Sequence, residues 1–273
     1  MSVVDLEVRE GPVDALRALF GTVVPAGEAL PPLWHWAALA RWAPAEATGT
    51  DGHPVTPESE VWRGRRRMFV GGSVELLAPL AVGTTVRVER RIVSEVDKQG
   101  RQGPFSLVTV ENRIVDHRGE PAVVERQQLV YRVPAPVDAT PAKGGVSPVV
   151  AALLEKRADW HWRFASDPTK LMRFSAATSN GHRVHYDWPY ATGVEGYPGL
   201  LVHGPLMTMA LAEVFRVQEP DAVVARVTHR NHRPLFCGEP ATITSTRSGA
   251  VRTLTLAASS TPDIATTTVE ITT

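Results

Sequence analysis

The stretch from Phe174 to Gly204 reads FSAATSNGHRVHYDWPYATGVEGYPGLLVHG, and the segment that follows it, from Pro205, reads PLMTMALAEVFRV. The first part places one amide, three histidines and a Tyr-Pro-Gly turn in a short span. The second part predicts a helix. Pro205 sits where a helix tolerates proline best, in its first turn, with Gly204 just before it. Leu206, Ala210, Val214 and Val217 keep a helical spacing, and Met207, Met209 and Leu211 fill much of the remaining circumference. A helix that is apolar nearly all round is a buried one. A polar loop therefore runs straight into the start of a buried helix, where unpaired backbone N–H groups can stabilise developing negative charge.

Working outward, the chain of 273 residues is long enough for one large domain or two smaller ones. Its 29 basic and 29 acidic residues cancel, which argues against nucleic acid and against purely electrostatic attachment to a membrane. Apolar runs fall short of the roughly 18 residues that span a bilayer. The opening MSVVDLEVRE has no signal-peptide core, so a cytoplasmic location is expected. A lone cysteine, Cys237, excludes internal disulfides and thiolate metal clusters, and no metal is expected.

The first sixty residues carry weak signals. A short helix is predicted over Asp14 to Phe20 and another over Leu30 to Ala40, LPPLWHWAALA; Pro44 to Glu60 reads as a loop or lid. Strands follow at Phe69–Leu77, Thr85–Val96, Phe105–Asp116 and Ala122–Val133, separated by turn residues. The proline- and glycine-rich residues 134–148 read as a linker between a first unit, 1–133, and a second, 149–273. The second unit has a short strand or turn at Trp160–Phe164. Further strands are predicted at Ala222–Asn231, Ala241–Ser248, Arg252–Ser259 and Ile264–Thr272.

An internal echo links the halves. Pro79-Leu80-Ala81-Val82-Gly83 and Pro234-Leu235-Phe236-Cys237-Gly238 both read PLxxG, and each follows one strand and precedes three. The pattern predicts one α+β unit used twice, with an antiparallel sheet enclosing a helix.

These residues carry a family likeness. The segment resembles the MaoC-like hydratases and dehydratases, in which two hot dog units pair, each a long sheet wrapped round a helix. Phe174-Ser175-Ala176 opens the motif; its histidine falls on His185, whereas its aspartate falls on Asn180, a departure. The forms Asn-Gly-His-Arg-x-His-Tyr-Asp and Tyr-Pro-Gly-Leu-x-Val-His-Gly are similar to the branch of hydroxyacyl-thioester dehydratase type 2 and the mesaconyl-C4-CoA hydratases. Leu30 to Trp36, Asp51-Gly52-His53-Pro54 and a strand start at Gly71-Gly72 resemble the first unit of that branch. A double hot dog fold is the expectation.

The reaction implied is reversible hydration of an enoyl thioester. It needs a base at the α carbon, an acid for the departing hydroxyl and fixed donors for the enolate oxygen. His185 is the candidate base. Asn180 cannot ionise and can only orient water, which puts both proton transfers on His185. The Gly204 N–H is the candidate oxyanion donor. His182 reads either as a donor near the cleft or, with His185, as half of a metal pair that lacks a third ligand. Asp187 is expected to cap a short helix, and His203 to fix the loop. Tyr197 is a turn residue placed near the substrate. Trp34 and Trp36 read as core packing or as an apolar wall over the acyl group. The basic run at Arg63 and Arg65, Arg66 and Arg67 reads as solvated surface or as a contact for coenzyme A phosphates or an acidic carrier protein. Cys237 has no histidine partner to make it a nucleophile. No cofactor is expected beyond the coenzyme A or phosphopantetheine of the substrate itself, and the chain is expected to work as a monomer or homodimer. A thioesterase of the same fold would need a carboxylate near the helix start, for which Glu195 is the candidate. A non-catalytic acyl-binding protein is the third reading.

Overall fold

The computed structural model describes residues 1–21, 29–55, 60–62, 64–100, 103–133 and 152–273. The expected linker at 134–148 lies outside these, as does Arg63.

The first half runs β1 (Ser2–Glu7), α1 (Glu10–Phe20), α2 (His35–Ala38), β2 (Arg66–Leu76), β3 (Thr85–Gly100), β4 (Gly103–Val115) and β5 (Pro121–Arg132). The second runs β6 (Leu154–Ala158), β7 (His161–Phe164), α3 (Pro168–Ala177), α4 (Trp188–Gly193), α5 (Gly204–Gln218), β8 (Arg226–Asn231), β9 (Ala241–Ser248), β10 (Val251–Ala258) and β11 (Ala265–Thr272). All strands form one 11-stranded sheet in the order β1-β3-β4-β5-β2-β8-β11-β10-β9-β7-β6. The first five strands and the series β8-β11-β10-β9-β7 are mirror arrangements of one plan, as a double hot dog requires. No helix among the described residues is long and apolar enough to cross a membrane.

The two halves meet where β2 pairs antiparallel with β8, from Gly71 opposite Arg230 to Glu75 opposite Arg226. Gly71 and Gly72 therefore do not start a strand; they lie in its middle, at the seam. A Cβ on Gly72 would come within 2.1 Å of the Arg126 carbonyl oxygen, and one on Gly71 within 2.7 Å of that of His229. Only glycines let β2 sit this close to both neighbours.

The PLxxG echo is a structural repeat. Leu80 and Leu235 are both buried, and Gly83 and Gly238 turn the chain at φ 82° and 85°. In each unit the preceding carbonyl receives a returning segment: Leu30 N–H donates to Leu80 O at 2.7 Å, and Val202 N–H to Leu235 O at 2.9 Å. Two residues beyond each donor stand Pro32 and Gly204. The repeat then diverges. The helix expected over Leu30–Ala40 shrinks to the four residues of α2, while α5 runs for 15.

α5 is the buried axis of the core. Leu206, Met209, Ala210, Leu211 and Val214 have no exposed surface. Val217, counted on the same apolar line, is instead 44% exposed, since the helix leaves the sheet near its end. The two charged residues of α5 neutralise each other: Glu213 is buried and accepts from Arg216 at 3.0 Å and from the indole of Trp34 at 2.8 Å.

Candidate active site

Three helices start close to the Phe174–Gly204 stretch, and their N-termini differ in a telling way. Asp167 caps α3, accepting from Lys170 N–H at 2.9 Å. Asp187 caps α4, accepting from Tyr190 N–H at 3.1 Å, as expected of it. At α5 the cap position is His203, whose side chain makes no cap bond. The Gly204 N–H has no hydrogen-bond partner among the described residues. The one long buried helix thus presents free donors. A Cβ on Gly204 would come within 2.7 Å of the Asn231 amide nitrogen, so a larger residue would displace this backbone.

A cavity of about 950 Å³ opens in front of this helix start. Gly204, His185, Asn180, His182 and Tyr197 line it from the second half, with Trp36, His53 and Arg67 from the first. His185 is buried on a 3-10 turn, Arg183–His185. Its Nδ1 lies 2.9 Å from the Leu201 carbonyl oxygen. A carbonyl only accepts, so Nδ1 carries the hydrogen and Nε2 keeps its lone pair. Burial pushes the His185 pKa down to about 4, against the opposing pull of the Leu201 carbonyl, so the ring is neutral near pH 7. The His203 ring stacks on it at 3.6 Å, and His203 Nε2 meets Ser175 Oγ at 2.8 Å.

Asn180 shapes the loop as well as facing the cavity. Its side-chain oxygen accepts from His182 N–H at 3.0 Å, which leaves the NH₂ group to the cavity. His182 is held neutral, first by burial and then by His53, His185 and the nearby arginines. It stands between two other imidazoles, 4.1 Å from the ring of His53 and 5.4 Å from that of His185.

The arginine run does not act as one cluster. Arg67 faces the cavity. Arg66 is half of an ion pair with Glu195, donates to the Glu195 carbonyl at 2.9 Å and lies over the Tyr197 ring. Arg65 turns away to Ser106 at 3.0 Å. Neither of the last two lines the cavity: Arg66 is held by Glu195 and Arg65 by Ser106. Glu195 also accepts from the Tyr190 hydroxyl at 2.9 Å, so its carboxylate is committed to structure. Trp34 is likewise corrected: it is fully buried beside Glu213, behind the cavity, and only Trp36 reaches the wall. Cys237 is no nucleophile, since burial pushes its thiol up to about 12.

Several groups here escaped sequence reasoning. Asp51 and His53 stood in a stretch read as a loop and as part of the family likeness, with no role given to either. His53 Nδ1 lies 2.9 Å from an Asp51 carboxylate oxygen, and together with His182 they form a cluster whose ligand atoms lie within 4.8 Å of one another. Further along the cavity, the buried Glu125 accepts from Trp36 Nε1 at 2.6 Å, Gln127 at 2.8 Å and Asn112 at 3.1 Å. Burial alone would raise its pKa, but His35 and these amide donors hold it down at about 2. Alternate residues of β4 and β5 face inward, which is the signal that could have joined Asn112 with Glu125 and Gln127.

Comparison with known proteins gives a consistent result. Residues 33–237 match the model of the family described as hydroxyacyl-thioester dehydratase type 2. A mesaconyl-C(4)-CoA hydratase from Chloroflexus aurantiacus is 40% identical over 217 residues, which is 77% of this chain and 72% of that protein. The mitochondrial hydroxyacyl-thioester dehydratase type 2 of Schizosaccharomyces pombe is 33% identical over 90 residues, 32% of this chain and 30% of that one. Among solved structures, HtdX from Mycobacterium tuberculosis superposes with a TM-score of 0.67 at 18% identity, covering 100% of this chain and 99% of that one. A MaoC-like dehydratase superposes with a TM-score of 0.70 at 14% identity, covering 99% and 97%. At such identities the two solved structures speak for the fold alone.

Proposed function

The chain belongs to the hydroxyacyl-thioester dehydratase type 2 family, a family of hydro-lyases, and we propose that it adds water reversibly across the double bond of an α,β-unsaturated acyl thioester. In this reading the thioester oxygen lies against the Gly204 N–H at the uncapped start of α5. As water attacks the β carbon, the electrons of the double bond move onto that oxygen, where the amide and the helix dipole meet the new charge. The proton given up by the water returns to the α carbon by way of His185 Nε2. The Asn180 NH₂ group orients the water or the hydroxyl. Neither a metal nor a redox cofactor takes part in this proposal.

The observation that carries it is the meeting of two unsatisfied groups in one cavity. Leu201 fixes His185 Nδ1 as a donor and frees Nε2 to accept, and the unpartnered Gly204 amide lines the same space. Arg67, Arg90, Asn112 and Gln127 in the wall suit a short acyl group with a polar or carboxylate end. The mesaconyl group named in the Chloroflexus relative is one such group. The carrier is coenzyme A or an acyl carrier protein.

The test is hydration of crotonyl and mesaconyl thioesters followed by loss of the conjugated double bond. His185→Ala is expected to abolish turnover with the fold intact; near-normal activity in that variant would overturn the assignment. Thiol release distinguishes a thioesterase, which the commitment of Glu195 to Arg66 and Tyr190 disfavours. Binding without turnover across the panel would favour a non-catalytic acyl-binding protein instead.

A further inference from the structure

Asn180 stands where the resemblance places an ionisable aspartate, and its side-chain oxygen is already used in a turn. The second half then offers only His185 for both proton transfers and no separate acceptor for the water-side proton. The first half supplies one. We infer that Asp51 and His53 form a carboxylate–imidazole pair that takes the proton from the attacking water, so that the two units share one reaction centre. The inference rests on the hydratase reading above and assigns its water side.

The geometry is that of a positioned base. One Asp51 oxygen lies 2.9 Å from His53 Nδ1, and the other accepts the His53 backbone N–H at 3.0 Å. A carboxylate accepts only, so Nδ1 carries the hydrogen and Nε2 offers its lone pair. His53 lines the same cavity as His185 and Gly204. Charge arising on the ring would be met by the Asp51 carboxylate behind it, as in other carboxylate-backed imidazoles.

The loop that carries the pair is fastened to the loop that carries His182 and His185. Arg183 N–H donates to the Asp51 carbonyl and its guanidinium to that of Thr50, both at 2.9 Å. Gly52, at φ 89°, approaches Gly181 so closely that a Cβ there would lie 1.9 Å from the Gly181 oxygen. A surface loop with no task at the site has no need of such a close lock.

The step balances without a further reactant. In hydration an O–H bond of water breaks and its proton passes to His53 Nε2. The C–O bond forms at the β carbon, and the electron pair moves to the thioester oxygen. The proton then passes through cavity solvent to His185 Nε2, since the His182 ring lies face-on to His53 at 4.1 Å, their planes within 32°, rather than in line with it. From there it goes to the α carbon as the enolate collapses, leaving every imidazole neutral. Dehydration reverses each step. Burial is the largest influence on His53 and lowers its pKa; Arg67 lowers it too, while Asp51 and Glu195 raise it. The resting ring is thus free to accept.

The experiment measures kcat and KM of the full chain for thioester hydration in His53→Ala, His53→Gln and Asp51→Asn, each checked by thermal melting. The expected result for His53→Ala is a fall in kcat of about 100-fold or more, with KM within about threefold and partial recovery on adding imidazole. His53→Gln keeps the bulk and is expected to fall likewise, which covers a His53→Ala chain that does not fold. Asp51→Asn is expected to lose about 10-fold or more in kcat, because it removes the fixed orientation of the ring. A His53 variant with kcat near wild type would overturn the inference. So would a loss that imidazole does not relieve and that appears equally in KM, which would mark a packing role. Loss of wild-type activity with a chelator, restored by zinc, would reassign Asp51, His53 and His182 as metal ligands. A wild-type chain that hydrates no thioester would sink the hydratase reading itself, an outcome separate from all of these.

Discussion

The imidazoles of His185 and His203 lie face to face, their planes within 19° and their centroids 3.6 Å apart. His203 in turn meets Ser175 Oγ, and all three are buried. Ser175 thus braces the base through an intermediary. Ser175→Ala removes the partner of a buried ring nitrogen and is expected to destabilise the protein by about 1–3 kcal/mol. Thermal or denaturant unfolding reads the loss directly, and an unchanged midpoint would show that His203 needs no such support.

Buried neutral imidazoles make the fold sensitive to mild acid. His185 and His229 are each lowered to about 4, mainly by burial, and His182 and His203 are lowered as well. In the unfolded chain the same groups take up protons from about 6.5 downward. The unfolded state then binds more protons, so their contribution is complete above about 6.5 and is lost as pH falls toward 4. Each such ring contributes a slope of at most about 1.4 kcal/mol per pH unit in that window. Denaturant midpoints measured at about pH 7.5 and about pH 5.5 are expected to fall clearly at the lower value.

Gly204→Ala tests the oxyanion donor without removing it. The new methyl would press on Asn231 and on the Phe69 ring, moving the amide. Losing one such donor costs about 100- to 1,000-fold in kcat, and displacement is expected to cost about 10- to 100-fold. Asn231→Ala added to it opens the contact and is expected to restore part of the rate. Steady-state kinetics of the single and double variants settle the point.

Glu125 holds three donors at once in the cavity wall. Glu125→Ala leaves the Trp36, Asn112 and Gln127 donors without their acceptor and is expected to cost about 3 kcal/mol or more. Glu125→Gln keeps one acceptor oxygen and is expected to cost less. Chemical denaturation ranks the two, and equal losses would show that the charge matters more than the count of bonds.

Much of this fold was legible in the residues themselves. The strand expected over Ala241–Ser248 matches β9 to the residue, and the PLxxG repeat foretells the doubled strand order. The N-terminal strand β1 was not legible, because it lies at an edge of the sheet, with four of its six residues plainly hydrophobic or small but mostly exposed. The second motif brought its cavity residues with it, since His182, His185 and Gly204 are neighbours in sequence. Asp51 and His53 were hidden because their partners lie more than a hundred residues away, and a loop hairpin has no periodicity to mark it. Trp34 and Trp36 show the same limit at closer range: one turn of chain sends the first behind the wall and the second into it.

The proline at position 32 has an outcome for stoichiometry. Where its twin offers a hydrogen to bind oxygen, a ring nitrogen has none to give. A tight-binding enolate mimic is therefore expected to titrate at one equivalent per polypeptide, despite two copies of the plan. The half that gave up an oxyanion donor of its own can lend its side chains to the site of the other.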